Sequence, residues 1–158
     1  MMGKRLRTGA VVTVGALAAC GFALAPTAAA VTPETASITA DCGVFGGGDA
    51  TLTATQNGTA ATMTLTASAI TAPLALGEDS ITSTLTLVGG TGGTTAFTGT
   101  ENPAMAAGDP VTVGPLSGTV ASADSLEAFG GQLRMTVFGI AVTCTATGPQ
   151  APGPFVFD

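Results

Sequence analysis

This chain of 158 residues is acidic and lacks several of the side chains that enzymes use most. Ten acidic residues outnumber four basic ones, giving a formal net charge of −6, and such a surface repels nucleic-acid phosphates and anionic lipid headgroups. Histidine, tyrosine and tryptophan are all absent, which excludes Ser–His and Cys–His catalysis and histidine metal sites. We therefore expect no enzymatic activity, no cofactor and no nucleic-acid partner.

The N-terminal region has the pattern of a secretory signal peptide. Basic residues within positions 4–7 precede an apolar stretch at 9–24, and a proline leads into the small residues 28–30. The stretch is shorter than the roughly 20 residues of a transmembrane helix. We predict a signal peptide over residues 1–30 and one secreted, extracellular domain over 31–158, with no transmembrane helix in the mature form.

A second interpretation of the leader involves Cys20. Residues 17–20 (LAAC) resemble the lipobox of bacterial lipoproteins, in which the cysteine receives the lipid. Against this, the apolar run continues past Cys20 instead of changing into a polar tether. Lipidation at Cys20, which would anchor the protein to the outer face of a membrane, is therefore the alternative to soluble export.

Alternation of apolar residues with threonine predicts β-strands throughout the mature region. Residues 35–42 supply a first strand. The stretch 49–67 (DATLTATQNGTAATMTLTA) predicts a hairpin around Asn57-Gly58, since both residues tolerate the positive φ of a type I′ turn. In that register Ala54 lies opposite Ala61 and Leu52 opposite Met63.

Further elements follow toward the C-terminus. Residues 81–88, 94–100, 111–113 and 116–121 are strand candidates separated by glycine-rich turns, and 124–129 (DSLEAF) resembles one helical turn. Residues 132–146 predict one long strand. Its alternation changes phase near Phe138-Gly139, which indicates either a β-bulge or burial on both faces.

The cysteines indicate how the two ends of the domain are joined. Cys42 and Cys144 lie in the first and last of these predicted strands, and in an oxidising compartment they should form a disulfide. About seven short strands, frequent turns and this bridge predict an all-β fold, an immunoglobulin-like antiparallel β-sandwich with one disulfide.

Several motifs carry a family resemblance. The leader KRLRTGAVVTVGALAAC with PTAAA, TADCG at 39–43 and VTCTATG at 142–148 resembles the exported immunoglobulin-like proteins of actinobacteria, many of which have no assigned role. The chain is also similar in class to the secreted, acidic apoproteins that carry enediyne chromophores. Those have two disulfides, whereas this mature chain can form one. The resemblance implies a β-sandwich, and the second likeness implies a ligand carrier.

Two functional classes follow from these patterns. The first is a non-catalytic extracellular or cell-surface module, structural or protein-binding, with an unknown extracellular protein or cell-surface component as partner. The second is a carrier of a small apolar ligand in a cleft lined by Phe97, Phe129 and Phe138. A carrier should contain an apolar pocket open to solvent, and a surface module a filled core and a flat face. Glu78 and Asp79 are candidate calcium ligands.

Overall fold

The computed structural model describes residues 30–158. The predicted signal peptide, apart from Ala30, and the alternative lipidation site Cys20 lie outside these residues. No helix within residues 30–158 has the length and apolar character needed to cross a membrane.

The described chain forms nine strands and one short 3₁₀ turn, η1. Their bounds are β1 Thr35–Asp41, η1 Gly43–Phe45, β2 Gly47–Asn57, β3 Ala60–Thr71, β4 Ile81–Gly89, β5 Thr94–Gly99, β6 Pro110–Thr119, β7 Ser125–Val137, β8 Ile140–Ala146 and β9 Phe155–Val156.

The first eight strands close into an antiparallel barrel. The strand order is β4-β5-β6-β3-β2-β1-β8-β7, and β7 pairs again with β4, for example Leu85 with Leu133. Each of these strands therefore has two neighbours and the barrel has no free edge. The all-β class is confirmed, but the predicted immunoglobulin-like sandwich is wrong, because a sandwich leaves its two sheets separate where this chain joins them.

Threonine and apolar residues separate cleanly between the two faces of the barrel wall. In β2, Leu52 and Ala54 are buried while Thr51 and Thr53 are exposed. Alternation with a period of two residues is what a strand with one solvent-exposed and one buried face requires. The alternation that predicted β1, β4 and β5 is confirmed at nearly the predicted bounds.

The β2–β3 hairpin has a register different from the predicted one. Asn57 pairs with Ala60, Ala54 with Met63 and Leu52 with Leu65. The two loop residues are thus Gly58-Thr59, and positive φ occurs only at Gly58, as in a type II′ turn. The slip is two residues, so every side chain keeps its predicted face although its partner changes.

Three other elements differ from expectation. Residues 124–129 are not helical, because β7 begins at Ser125. The two short candidates at 111–121 are one strand, β6, with an irregular register opposite β3 at Gly114. The phase change near residue 138 is neither a bulge nor two-sided burial. It is a hairpin turn, since Val137 pairs with Ile140 across Phe138-Gly139.

The interior is filled toward one end of the barrel, which we call the closed end. Here the C-terminal segment folds under the barrel, with Phe155 and Phe157 almost completely buried near Leu126. Backbone hydrogen bonds between Thr32 and Val156 hold both ends of the described chain at this position. The opposite end, where β1, β3 and β7 finish, is the open end.

The predicted disulfide between Cys42 and Cys144 is confirmed. It lies where β1 meets β8, a pairing of only two residue pairs, Ala40 with Ala146 and Asp41 with Thr145. The two strands are neighbours in the barrel wall. The bridge therefore reinforces a short stretch of strand pairing beside the open end.

Candidate functional site: an apolar cavity at the open end

A cavity of about 400 Å³ occupies the half of the barrel next to the open end. Residues from β1, β2, β3, β4, β6, β7 and β8 line it, so its walls belong to the hydrogen-bonded barrel. Pockets for small organic ligands measure roughly 300–1,000 Å³, and an eight-stranded barrel is just wide enough to hold one such molecule. The cavity has the size of a ligand site.

Small inward-facing side chains create the space. Ala40, Gly48, Ala50 and Ala67 contribute to the cavity wall from β1, β2 and β3. Two residues beyond Ala50 on the same face, Leu52 is completely buried in the filled half. Along β2, the inward-facing residues are therefore large in the filled half and small beside the cavity. The strands keep their spacing across both halves, so the small residues leave space between the walls.

The lining has almost no hydrogen-bonding capacity. Among the described residues that form it none is charged, and the single hydroxyl side chain is that of Thr71. The disulfide of Cys42 and Cys144 forms part of the wall. A polar group moved into such surroundings loses its hydrogen bonds to water without replacement. The cavity therefore suits an apolar molecule.

Four exposed apolar side chains surround the mouth, and we call them the apolar rim. They are Phe45 on η1, Leu74 in the β3–β4 connection, Phe138 in the β7–β8 turn and Ile140 at the start of β8. All four also line the cavity. Because these lining residues are 49–67% exposed, the cavity reaches the surface between them.

The backbone at Phe138 is unusual for an aromatic residue. Phe138 has φ 50° and Gly139 has φ 78°, which is the pattern of a two-residue type I′ turn. Asparagine is the preferred first residue of such a turn, and a bulky side chain there is strained. The chain keeps an aromatic ring at the mouth in spite of this strain, and strain of this kind is concentrated at functional positions.

The structure separates the three phenylalanines predicted to bind a ligand. Phe138 is among the residues that line the cavity. Phe97 is fully buried in the filled core beside Leu85, its partner in β4, and is not part of the lining. Phe129 is exposed on β7 and also lies outside the lining. The alanines that make the space gave no signal in the sequence, because alanine is an ordinary core residue.

Glu78 and Asp79 lie in the connection that precedes β4, and both are exposed. Within residues 30–158 no group of three or more acidic, cysteine or histidine residues is arranged to hold a metal ion. The connection is instead fixed by buried Asn102, whose Oδ1 accepts hydrogen bonds from the amides of Ser80 and Ile81, each at 2.8 Å. Its Nδ2 donates to the Gly77 carbonyl. No pattern in the sequence indicated this role for Asn102.

Comparison with known proteins gives no functional guidance: no family model, no curated protein and no solved structure matches this chain. The cavity and its rim are therefore the features from which a function has to be argued.

Proposed function

We propose that this protein is a secreted, non-catalytic carrier that binds a small apolar ligand in the cavity. The observation that carries the proposal is the cavity of about 400 Å³, lined by apolar side chains and reaching the surface through the apolar rim. The other function expected from the sequence, a structural or protein-binding module, predicts a filled interior. The cavity favours the carrier.

The walls of the cavity are suited to binding with little rearrangement. They consist of strands that pair with a neighbour on each side, and a disulfide crosses one of the pairings at the cavity. A site held open in the free protein avoids the entropy cost of ordering its walls around a ligand. The driving force would be transfer of apolar ligand surface out of water, roughly 25 cal/mol for each Å² buried.

Fluorescence titration tests the proposal directly. The neutral, apolar dye N-phenyl-1-naphthylamine brightens on leaving water, and we expect it to bind the purified protein saturably with one site per chain. Phe138→Asn should weaken this binding about fivefold, because a partly buried ring contributes on the order of 1 kcal/mol. Phe129→Asn is the matched control, since Phe129 is also exposed but lies outside the lining.

The Phe138 variant is informative because it should not unfold the protein. Asparagine is favoured at its turn position, so Phe138→Asn is expected to be at least as stable as the natural protein. Weaker binding would then report the loss of the ring. Absence of saturable dye binding, or equal losses in both variants, would refute the cavity as a ligand site.

A further inference from the structure

We infer that the cavity selects an uncharged hydrocarbon chain and discriminates against anionic amphiphiles such as fatty acid carboxylates. This inference rests on the proposed function and specifies the chemical class of the ligand. It follows from two separate features, the lining of the cavity and the charges around its mouth.

The lining of the cavity contains no charged side chain that could hold a carboxylate. Thr71 carries the single side-chain hydroxyl of the lining, and the described lining residues include no basic side chain. The strands that form the wall pair with their neighbours along most of β2, β3, β7 and β8. An anion drawn into this space would lose its hydration without gaining a partner, which strongly disfavours binding.

A fatty acid could avoid that cost by leaving its carboxylate at the mouth, but the mouth is also unfavourable. Arg134 is the one basic residue in positions 30–158. It lies on β7 between Leu133 and Met135, which line the cavity, so its exposed side chain is on the outer face of the wall. The segments that carry the apolar rim are η1, the β3–β4 connection, the β7–β8 turn and the start of β8, and none of them contains a basic residue.

Acidic residues are placed near the open end instead. Asp41 directly precedes Cys42 of the lining, and its Oδ1 accepts a hydrogen bond of 2.8 Å from the Gly43 amide at the start of η1. Glu78 and Asp79 are exposed in the β3–β4 connection, which also carries Leu74 of the apolar rim. Ten acids and one base give the described residues a formal charge of −9. An anionic head group at the mouth would therefore be repelled.

A matched series of twelve-carbon ligands tests the inference. Dodecanol, dodecanoate and dodecylammonium share one chain and differ in the charge of the head group. Each would compete with bound N-phenyl-1-naphthylamine at about pH 8, where the carboxylic acid is ionised and the amine is protonated. We expect dodecanol to displace the dye at least tenfold more effectively than dodecanoate. Dodecylammonium should also compete better than dodecanoate, because the acids near the mouth attract it.

Controls separate this inference from the proposed function. Ala50→Leu, which fills part of the cavity, should weaken dodecanol and dye together. The rise in melting temperature with dodecanol gives a readout independent of the dye. If neither dye nor dodecanol binds, the carrier function fails, and the inference with it. If both bind but dodecanoate competes as well as dodecanol, or better than dodecylammonium, the carrier function stands and the inference is overturned.

Discussion

Two alanines on one strand provide a direct test of whether the cavity is unfilled space. Ala50 and Ala54 lie on the same inward face of β2 and are 3% and 2% exposed. Ala50 lines the cavity, whereas Ala54 pairs with fully buried Met63 in the filled half. Replacing each by leucine adds the same three carbon atoms to two different environments.

The two substitutions should change stability in opposite directions. At Ala50 the added carbons enter the cavity and are removed from water on folding, which is worth about 0.8 kcal/mol per carbon, or about 2.4 kcal/mol as an upper bound. At Ala54 they have no space, and overpacking of a filled core costs about 1–3 kcal/mol. We therefore expect Ala50→Leu to raise the free energy of unfolding and Ala54→Leu to lower it.

Urea denaturation of the three proteins measures this difference, provided that the slope of the transition stays constant so that midpoints report stability. Dye titration supplies the second readout. Ala50→Leu should weaken binding by about tenfold while the protein becomes more stable, and Ala54→Leu should bind normally wherever it is folded. If Ala50→Leu destabilises the protein as much as Ala54→Leu, the space next to Ala50 is not available and the argument from the cavity is refuted.

Three further substitutions or treatments test the frame that holds the cavity. Reducing the Cys42–Cys144 bridge, which joins residues 102 apart, should lower the urea midpoint by the equivalent of about 4–5 kcal/mol, and an unchanged midpoint would contradict its role. Gly114→Ala should cost about 1–3 kcal/mol, since φ is 115° and the new Cβ would lie 2.7 Å from a β3 carbonyl oxygen; Gly77→Ala, with open space around it, is the control and should be nearly neutral. Asn102→Ala leaves two backbone amides at the start of β4 without their acceptor. It should lower the free energy of unfolding, measured by thermal denaturation, by about 1–3 kcal/mol. An unchanged stability would show that water replaces the side chain.

Strand positions were predictable from this sequence because one face of each strand is exposed to solvent and the other is buried, so threonine and apolar residues alternate. The register was not, and the β2–β3 hairpin shows why. Threonines recur at every second position, so a shift of two residues still places threonine opposite threonine, and Thr53 pairs with Thr64 as readily as it would with Thr62. Asn57-Gly58 is a favoured pair for a two-residue turn, and it was therefore predicted as the loop. The observed loop, Gly58-Thr59, lies one residue further along the chain.

The β7–β8 hairpin was missed for the opposite reason. Its turn contains Phe138, a residue that rarely takes positive φ, and no turn was therefore predicted between Val137 and Ile140. The cavity was not predictable from composition either. Whether Ala50 and Ala67 face a large side chain or open space depends on which residues lie across the barrel, and that is fixed by strand order instead of by local pattern.

Closure of the barrel also depends on contacts that no local pattern reveals. Alternating strands build a sandwich or a barrel equally well, and the difference here is the pairing of β4 with β7 and of β1 with β8. Cys42 and Cys144 indicated that the strands carrying them are close, which is true in both architectures. In a sandwich the bridge would cross the core and tie two layers together. In this barrel the bridge joins two neighbouring strands, β1 and β8, which are connected by only two residue pairs. Both cysteines line the cavity, so the bridge stabilises the wall of the proposed ligand site instead of linking two layers across a core.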